Sequence, residues 1–185
     1  VNKRTIETIN PYYNSLIFYS ISSYPECKDM RYKIWKLVSY SFVHSNIMHL
    51  IGNTLGICFV SLNLYKFQKI KIILLCYLLC VISGALSFYI TDPYNMLIGA
   101  SGGVYGIAGS NISNYIYNSD DMYLYEIFYN RSFVFLFIII DLLSYSMLYN
   151  ETVAYQVHWY CFLFGIFIGF SIFNYKKKKK YKKYI

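Results

Sequence analysis

Charge is what this chain has least of for its size. Only 14% of its 185 residues are charged, where a soluble domain carries about 25%. Apolar residues take the place of the missing charge: 57% of the chain is hydrophobic and 21% aromatic. They fall into blocks of roughly 20 residues, the length that crosses a bilayer, so a single membrane domain is expected, not a soluble one. Proline is scarce too, and Pro11 and Pro25 break up residues 1–40. That segment is polar, aromatic and irregular, and reads as an extramembrane loop at the interface. The five cysteines (Cys27, Cys58, Cys76, Cys80 and Cys161) contain no C-x-x-C pair, so neither a zinc site nor a redox motif is indicated. Four of them lie in apolar segments and read as small buried hydrophobes. No signal peptide is visible, because residues 1–11 are polar and the apolar patch at 16–21 is too short. Beginning with Val1, the sequence reads as a piece of a longer protein.

Basic residues outnumber acidic ones, 17 to 9. Seven of the lysines lie between Lys176 and Lys183, directly after an apolar stretch. They read as the cytosolic flank of a membrane span and not as a nucleic-acid patch. Five spans can be drawn, over residues 47–64, 70–90, 101–117, 133–148 and 153–173. The expected architecture is therefore an all-α, polytopic transmembrane bundle. It divides into a first loop (1–40), a transmembrane domain (41–175) and a basic tail (176–185). Lys66, Lys69 and Lys71 follow the first span and Arg131 precedes the fourth, while the alternate loops 91–99 and 149–153 carry no Lys or Arg. Positive loops stay inside, which makes the tail cytosolic and the two uncharged loops external. Lys28, Arg31, Lys33 and Lys36 run against that rule. The odd number of spans fits a further span upstream.

Polar and ionisable residues inside a bilayer are costly, so each is a functional candidate. Here they gather at one depth. His44 and His49 stand at the outer end of the first span, Asn53 is one turn below His49, and Ser101 opens the third span. His158 is expected about 8 Å into the last span. This set suits acyl transfer: a serine hydroxyl needs a base to take its proton, and the resulting oxyanion needs preorganised donors. His49 and Asn53, at i and i+4, share one helix face. With the Ser101 N–H, which has no helical acceptor at a helix start, they form a candidate oxyanion hole. Tyr105, one turn below Ser101, is placed to stack on His158 where no acidic third member is present. Gly99, Gly102, Gly103, Gly106 and Gly109, facing Gly165 and Gly169, supply faces narrow enough for two helices to touch in lipid.

Gly99-Ala100-Ser101-Gly102 with Val104-Tyr105-Gly106 resembles the G-x-S-G nucleophile motif of rhomboid intramembrane proteases, including its tyrosine. The stretch from His44 through His49 to Asn53 resembles the family's H-x-x-x-x-H-x-x-x-N signature, and Val157-His158 stands where the family has Ala-His. Trp35-Lys36 resembles the Trp-Arg of the family's first loop, and Asp141 resembles an Asp of eukaryotic secretase-type members. The resemblance covers about residues 30–173. It implies an intramembrane serine protease with Ser101 and His158 as catalytic dyad. His49, Asn53 and the Ser101 N–H would bind the oxyanion, with Tyr105, Gly99, Gly102 and His44 in support. It further implies single-pass membrane proteins as substrates, cleaved in or beside their transmembrane helix near the outer leaflet, and no metal, ATP or other cofactor. The family core has six helices. Lys36 departs from the family's Arg, which puts the rigidity of the first loop in question. Cys161 departs from a glycine, which implies a slightly wider helix contact. Abundant Tyr, Asn, Lys and Ile with few Pro suit an AT-rich genome such as an apicomplexan's, and the plasma membrane or secretory pathway suits such a chain better than the mitochondrion.

Plainer readings stand beside these. A serine at a helix start is often only a cap, and His158 or Asn53 can serve simply as a bundle hydrogen bond. His44 is expected to tie the first loop to the helix top, and Asp141 to pair inside the bundle or point at the outer loop. Asn150-Glu151-Thr152 fits a glycosylation site but lies against the membrane. Two rival functions remain: an inactive relative that binds transmembrane helices for quality control, and a proton-coupled transporter. No inverted repeat supports the transporter.

Overall fold

The computed structural model describes residues 18–19, 34–92, 96–119, scattered positions between 122 and 143, and 154–182. For Phe18–Tyr19 and beyond Ile172 only the backbone is described. Helix dominates. A short α1 (Lys36–Ser39) leads through a 3-10 turn (Tyr40–Phe42) to α2 (Ile47–Tyr65), α3 (Ile70–Thr91), α4 (Ser101–Asn118) and α5 (Tyr155–Lys182). A two-residue antiparallel pairing of β1 (Phe18–Tyr19) with β2 (Met96–Leu97) ties the first segment to the link before α4. The all-α bundle expected from the apolar blocks is the architecture found.

Three helical stretches are long and apolar enough to cross a bilayer: α2, α3 and Tyr155–Ile172 of α5. Helix α4 occupies the third expected span but is not among them, because Ser110, Asn111, Ser113 and Asn114 make it polar. All four are buried. α4 is the central helix and packs on α2, α3 and α5. Since hydrocarbon offers no water, its polar side chains bond to neighbouring backbone. Ser110 donates to the Gly165 carbonyl at 2.9 Å, Ser113 to the Ile166 carbonyl at 2.7 Å, and Asn111 Nδ2 to the Val60 carbonyl at 2.9 Å. Ser110→Ala is expected to lower stability by about 0.6 kcal/mol without affecting any chemistry at Ser101, as measured by reversible unfolding in micelles. The fourth expected span, with Asp141, falls largely outside the described residues, as do most of 1–40 and the Asn150 sequon.

The backbones of α4 and α5 touch. A Cβ on Gly165 would run into the Gly106 carbonyl oxygen, and one on Gly109 into the Phe162 carbonyl oxygen. Cys161, where a wider contact is expected, tucks its thiol over two glycines instead. A Cβ on Gly84 would lie 2.9 Å from its Sγ and one on Gly102 3.2 Å away, and the Sγ donates to the Cys80 carbonyl at 3.3 Å. The last helix differs from expectation at both ends. It starts at Tyr155, not at 153, which puts His158 in the first turn, about 4.5 Å from the helix start and not 8 Å. At its other end it continues unbroken through the lysine run to Lys182.

Candidate active site

The link before α4 is pinned from both sides. The Tyr40 hydroxyl donates to the Val81 carbonyl of α3 at 2.7 Å, and the Tyr40 carbonyl accepts from the Gly99 N–H at 3.1 Å. Gly99 has φ +102°, a conformation that L side chains rarely adopt. Space demands glycine there as well: a Cβ would sit 2.8 Å from His49 Cε1, 2.9 Å from His49 Nε2 and 3.6 Å from Asn53 Nδ2. Gly99 thus lies against the ring of His49 and the amide of Asn53, and Ser101 follows two residues later as the first residue of α4.

His158 Nε2 lies 2.9 Å from Ser101 Oγ. The close approach of α4 and α5 allows this contact, and Gly102 lets α5 pass, since a Cβ there would already touch Cys161 Sγ and Val157 Cγ1. The imidazole is held by aromatic rings. Tyr105 stacks on it at 4.2 Å with planes 9° apart, and Tyr155, one turn earlier on α5, meets it edge-on at 6.0 Å. His158 is only 8% exposed. Tyr105→Leu is expected to slow turnover about tenfold by freeing the ring, with Tyr105→Phe closer to wild type, as measured by single-turnover cleavage.

At the end of α2, His49 is placed by a helix cap: Asn46 Oδ1 accepts from the His49 N–H at 2.9 Å, which satisfies one of the first-turn donors. Asn53 Nδ2 is buried and finds no hydrogen-bond partner among the described residues. His49 and Asn53 Nδ2 thus meet in the space beside Gly99. His44 stands before α2, its ring edge-on to His49 at 5.0 Å, with its Nε2 buried and unpartnered among the described residues. Burial pushes its pKa below the ordinary histidine value, against the opposing effect of a hydrogen bond to the Phe42 backbone. Lys36, the departure in the first loop, is buried on α1.

The structure thus brings Ser101 to His158 and Tyr105, and Gly99 to His49 and Asn53, with His44 beside His49. Three participants went unread in the sequence: Tyr40, Asn46 and Tyr155. Asn46 had a visible signal, an Asn directly before an apolar run. Tyr155 had the weaker one of an aromatic three residues before His158.

Residues 31–175 match the Rhomboid domain family model. Rhomboid-related protein 1 of Caenorhabditis elegans is 33% identical over 146 residues, 77% of this chain and 41% of that protein. Rhomboid-related protein 2 of Mus musculus is 36% identical over 96 residues, 52% of this chain and 32% of that protein. Rhomboid-like protease 3 of Toxoplasma gondii is 33% identical over 78 residues, 42% of this chain and 30% of that protein. The chain thus spans between a third and about two fifths of the length of the first two relatives. With three helices fit to cross a bilayer and a family match over most of its length, this chain is an integral membrane protein that belongs to the rhomboid family.

Proposed function

We propose that this chain is an intramembrane serine endopeptidase that cleaves single-pass membrane proteins within or next to their transmembrane helix. The observation that carries the reading is the 2.9 Å contact of Ser101 Oγ with His158 Nε2. In the proposed reaction His158 accepts the Ser101 proton as Oγ attacks the scissile carbonyl. The oxyanion takes hydrogen bonds from His49, Asn53 and the Ser101 N–H. The C–N bond breaks, the amine leaves with the proton held by His158, and an acyl-Ser101 ester remains. Water, deprotonated by His158, then hydrolyses the ester and returns the proton to Ser101. The chain's own side chains suffice for these steps, so no cofactor is invoked. Helical carbonyls are internally bonded, so the substrate helix must unwind where it is cut, and helix-breaking residues are expected there.

Residues 41–175 would form this catalytic domain, with 1–40 as the external loop and 176–185 as the cytosolic tail. The site then faces the outer leaflet of the plasma membrane or of a secretory compartment. Asn53→Ala is expected to lower kcat about 10²-fold with little change in KM, because the oxyanion forms only in the transition state; steady-state cleavage in vesicles measures this. The reading itself is tested by co-expression with a panel of single-pass membrane proteins, with released ectodomains scored. Release that depends on Ser101 supports it. No release from any member, or release indifferent to Ser101, counts against it.

A further inference from the structure

The function proposed above asks His49 for an N–H at Nε2, the nitrogen that lies beside Gly99. A neutral imidazole carries only one N–H, so Nδ1 must then be the acceptor. Three contacts on the outer side of His49 bear on which nitrogen holds the proton. The His49 backbone N–H donates to Asn46 Oδ1 at 2.9 Å. A backbone N–H can only donate, so this bond fixes which end of the Asn46 amide is oxygen. The other end, Nδ2, then donates to Ser45 Oγ at 3.3 Å. Ser45 Oγ, already accepting from Asn46, lies 3.2 Å from His49 Nδ1 and has one proton to give.

We propose that Ser45 and Asn46 are positioning residues which set the tautomer of His49. Asn46 donates to the Ser45 hydroxyl, the Ser45 hydroxyl donates to Nδ1, and the ring proton is held at Nε2, facing the space beside Gly99 where the oxyanion forms. The opposite tautomer leaves the Ser45 proton without an acceptor in this chain of contacts and turns a lone pair toward a developing negative charge. Neither residue touches substrate; both act through His49. The same Asn46 side chain caps α2, so the helix start and the ring tautomer are set together.

Histidine ¹⁵N and ¹³C spectra of the protein in neutral-lipid nanodiscs read the tautomer without substrate. With three histidines in the chain, His44→Gln and His158→Gln variants assign the signals. The expected result is His49 protonated at Nε2 in the wild type, a mixture in Ser45→Ala, and recovery in Ser45→Thr. Asn46→Asp is the decisive variant. It keeps the oxygen that caps α2 but removes the donor and offers Ser45 a stronger acceptor, so His49 should move toward the Nδ1–H form with helicity unchanged. Where cleavage is measured, kcat should fall about tenfold in Ser45→Ala and Asn46→Asp, KM should hold, and Ser45→Thr should recover. Nδ1–H as the wild-type form, or an unchanged tautomer in both Ser45→Ala and Asn46→Asp, overturns the proposal. A wild type that cleaves no substrate counts against the protease reading alone, because the spectra still judge the tautomer.

Discussion

Cleavage by the Ser101→Ala protein is expected to fall on the order of 10⁴- to 10⁶-fold, with the fold left standing. Alanine removes the oxygen of residue 101 that meets His158 Nε2, and a water in its place has neither the effective concentration of a tethered hydroxyl nor its alignment. The structural loss is small: one hydrogen bond of about 1 kcal/mol at a half-buried helix start. Loss of activity and loss of stability should therefore separate cleanly. His158→Ala should be equally inactive but less stable, since it leaves Tyr105 and Tyr155 facing a void where they now pack on the imidazole. The Ser101→Ala/His158→Ala double variant should be no slower than either single one, because the two groups act as a unit. Fragment yield from a reconstituted transmembrane substrate, taken with unfolding curves of the same samples, gives both quantities. Cleavage that survives in Ser101→Ala protein would end the case for this serine as nucleophile.

How far the sequence could be read depends on the kind of signal each element sends. Helices α2 and α3 were legible to within a residue or two, because unbroken apolar runs of span length have few other uses. The His49–Asn53 pair and the Ser101 link were legible as spacing: i, i+4 on a helix, and glycines where a backbone must pass close to a ring. Depth was less legible. His158 lies about half a turn higher than expected because α5 begins at Tyr155, and helix starts are the least certain part of any sequence reading. The continuation of α5 through its lysines was not legible either, since like charges at i, i+4 argue against a helix. α4 is the most instructive case. Ser110, Asn111, Ser113 and Asn114 look too polar for a membrane span when taken one by one. Their i, i+1, i+3, i+4 spacing puts them on one side of a helix, and that side bonds to the backbones of α2 and α5. What no pattern could supply is the identity of a partner atom in another helix, such as the Tyr40 carbonyl that fixes Gly99.

Gly165→Ala, one added methyl group, is expected to destabilise the protein by about 3 kcal/mol or more and to reduce cleavage at least about 100-fold, although Gly165 lies seven residues from His158. The methyl has no room: a Cβ at 165 would meet the Gly106 carbonyl oxygen, carbon and Cα, all backbone atoms of a rigid helix. A side chain could rotate away, but a helix backbone can yield only by moving the whole of α4 or α5. Those two helices carry Ser101 and His158, whose 2.9 Å contact does not survive a shift of about 1 Å as a good hydrogen bond. The shift also strains the Ser110 and Ser113 bonds into α5, so stability and geometry are lost together. Gly52→Ala is the matched control. Gly52 is a helical glycine of α2 with nothing within 4 Å of its would-be Cβ. There the same substitution should be neutral or stabilising by up to about 1 kcal/mol through helix propensity. Unfolding in micelles and cleavage in vesicles, run on both variants, separate a general intolerance of alanine for glycine from the specific meeting of two backbones. If Gly165→Ala protein is as stable and as active as the Gly52→Ala protein, the two helices do not touch as described, and the account of how the hydroxyl reaches the imidazole fails with them.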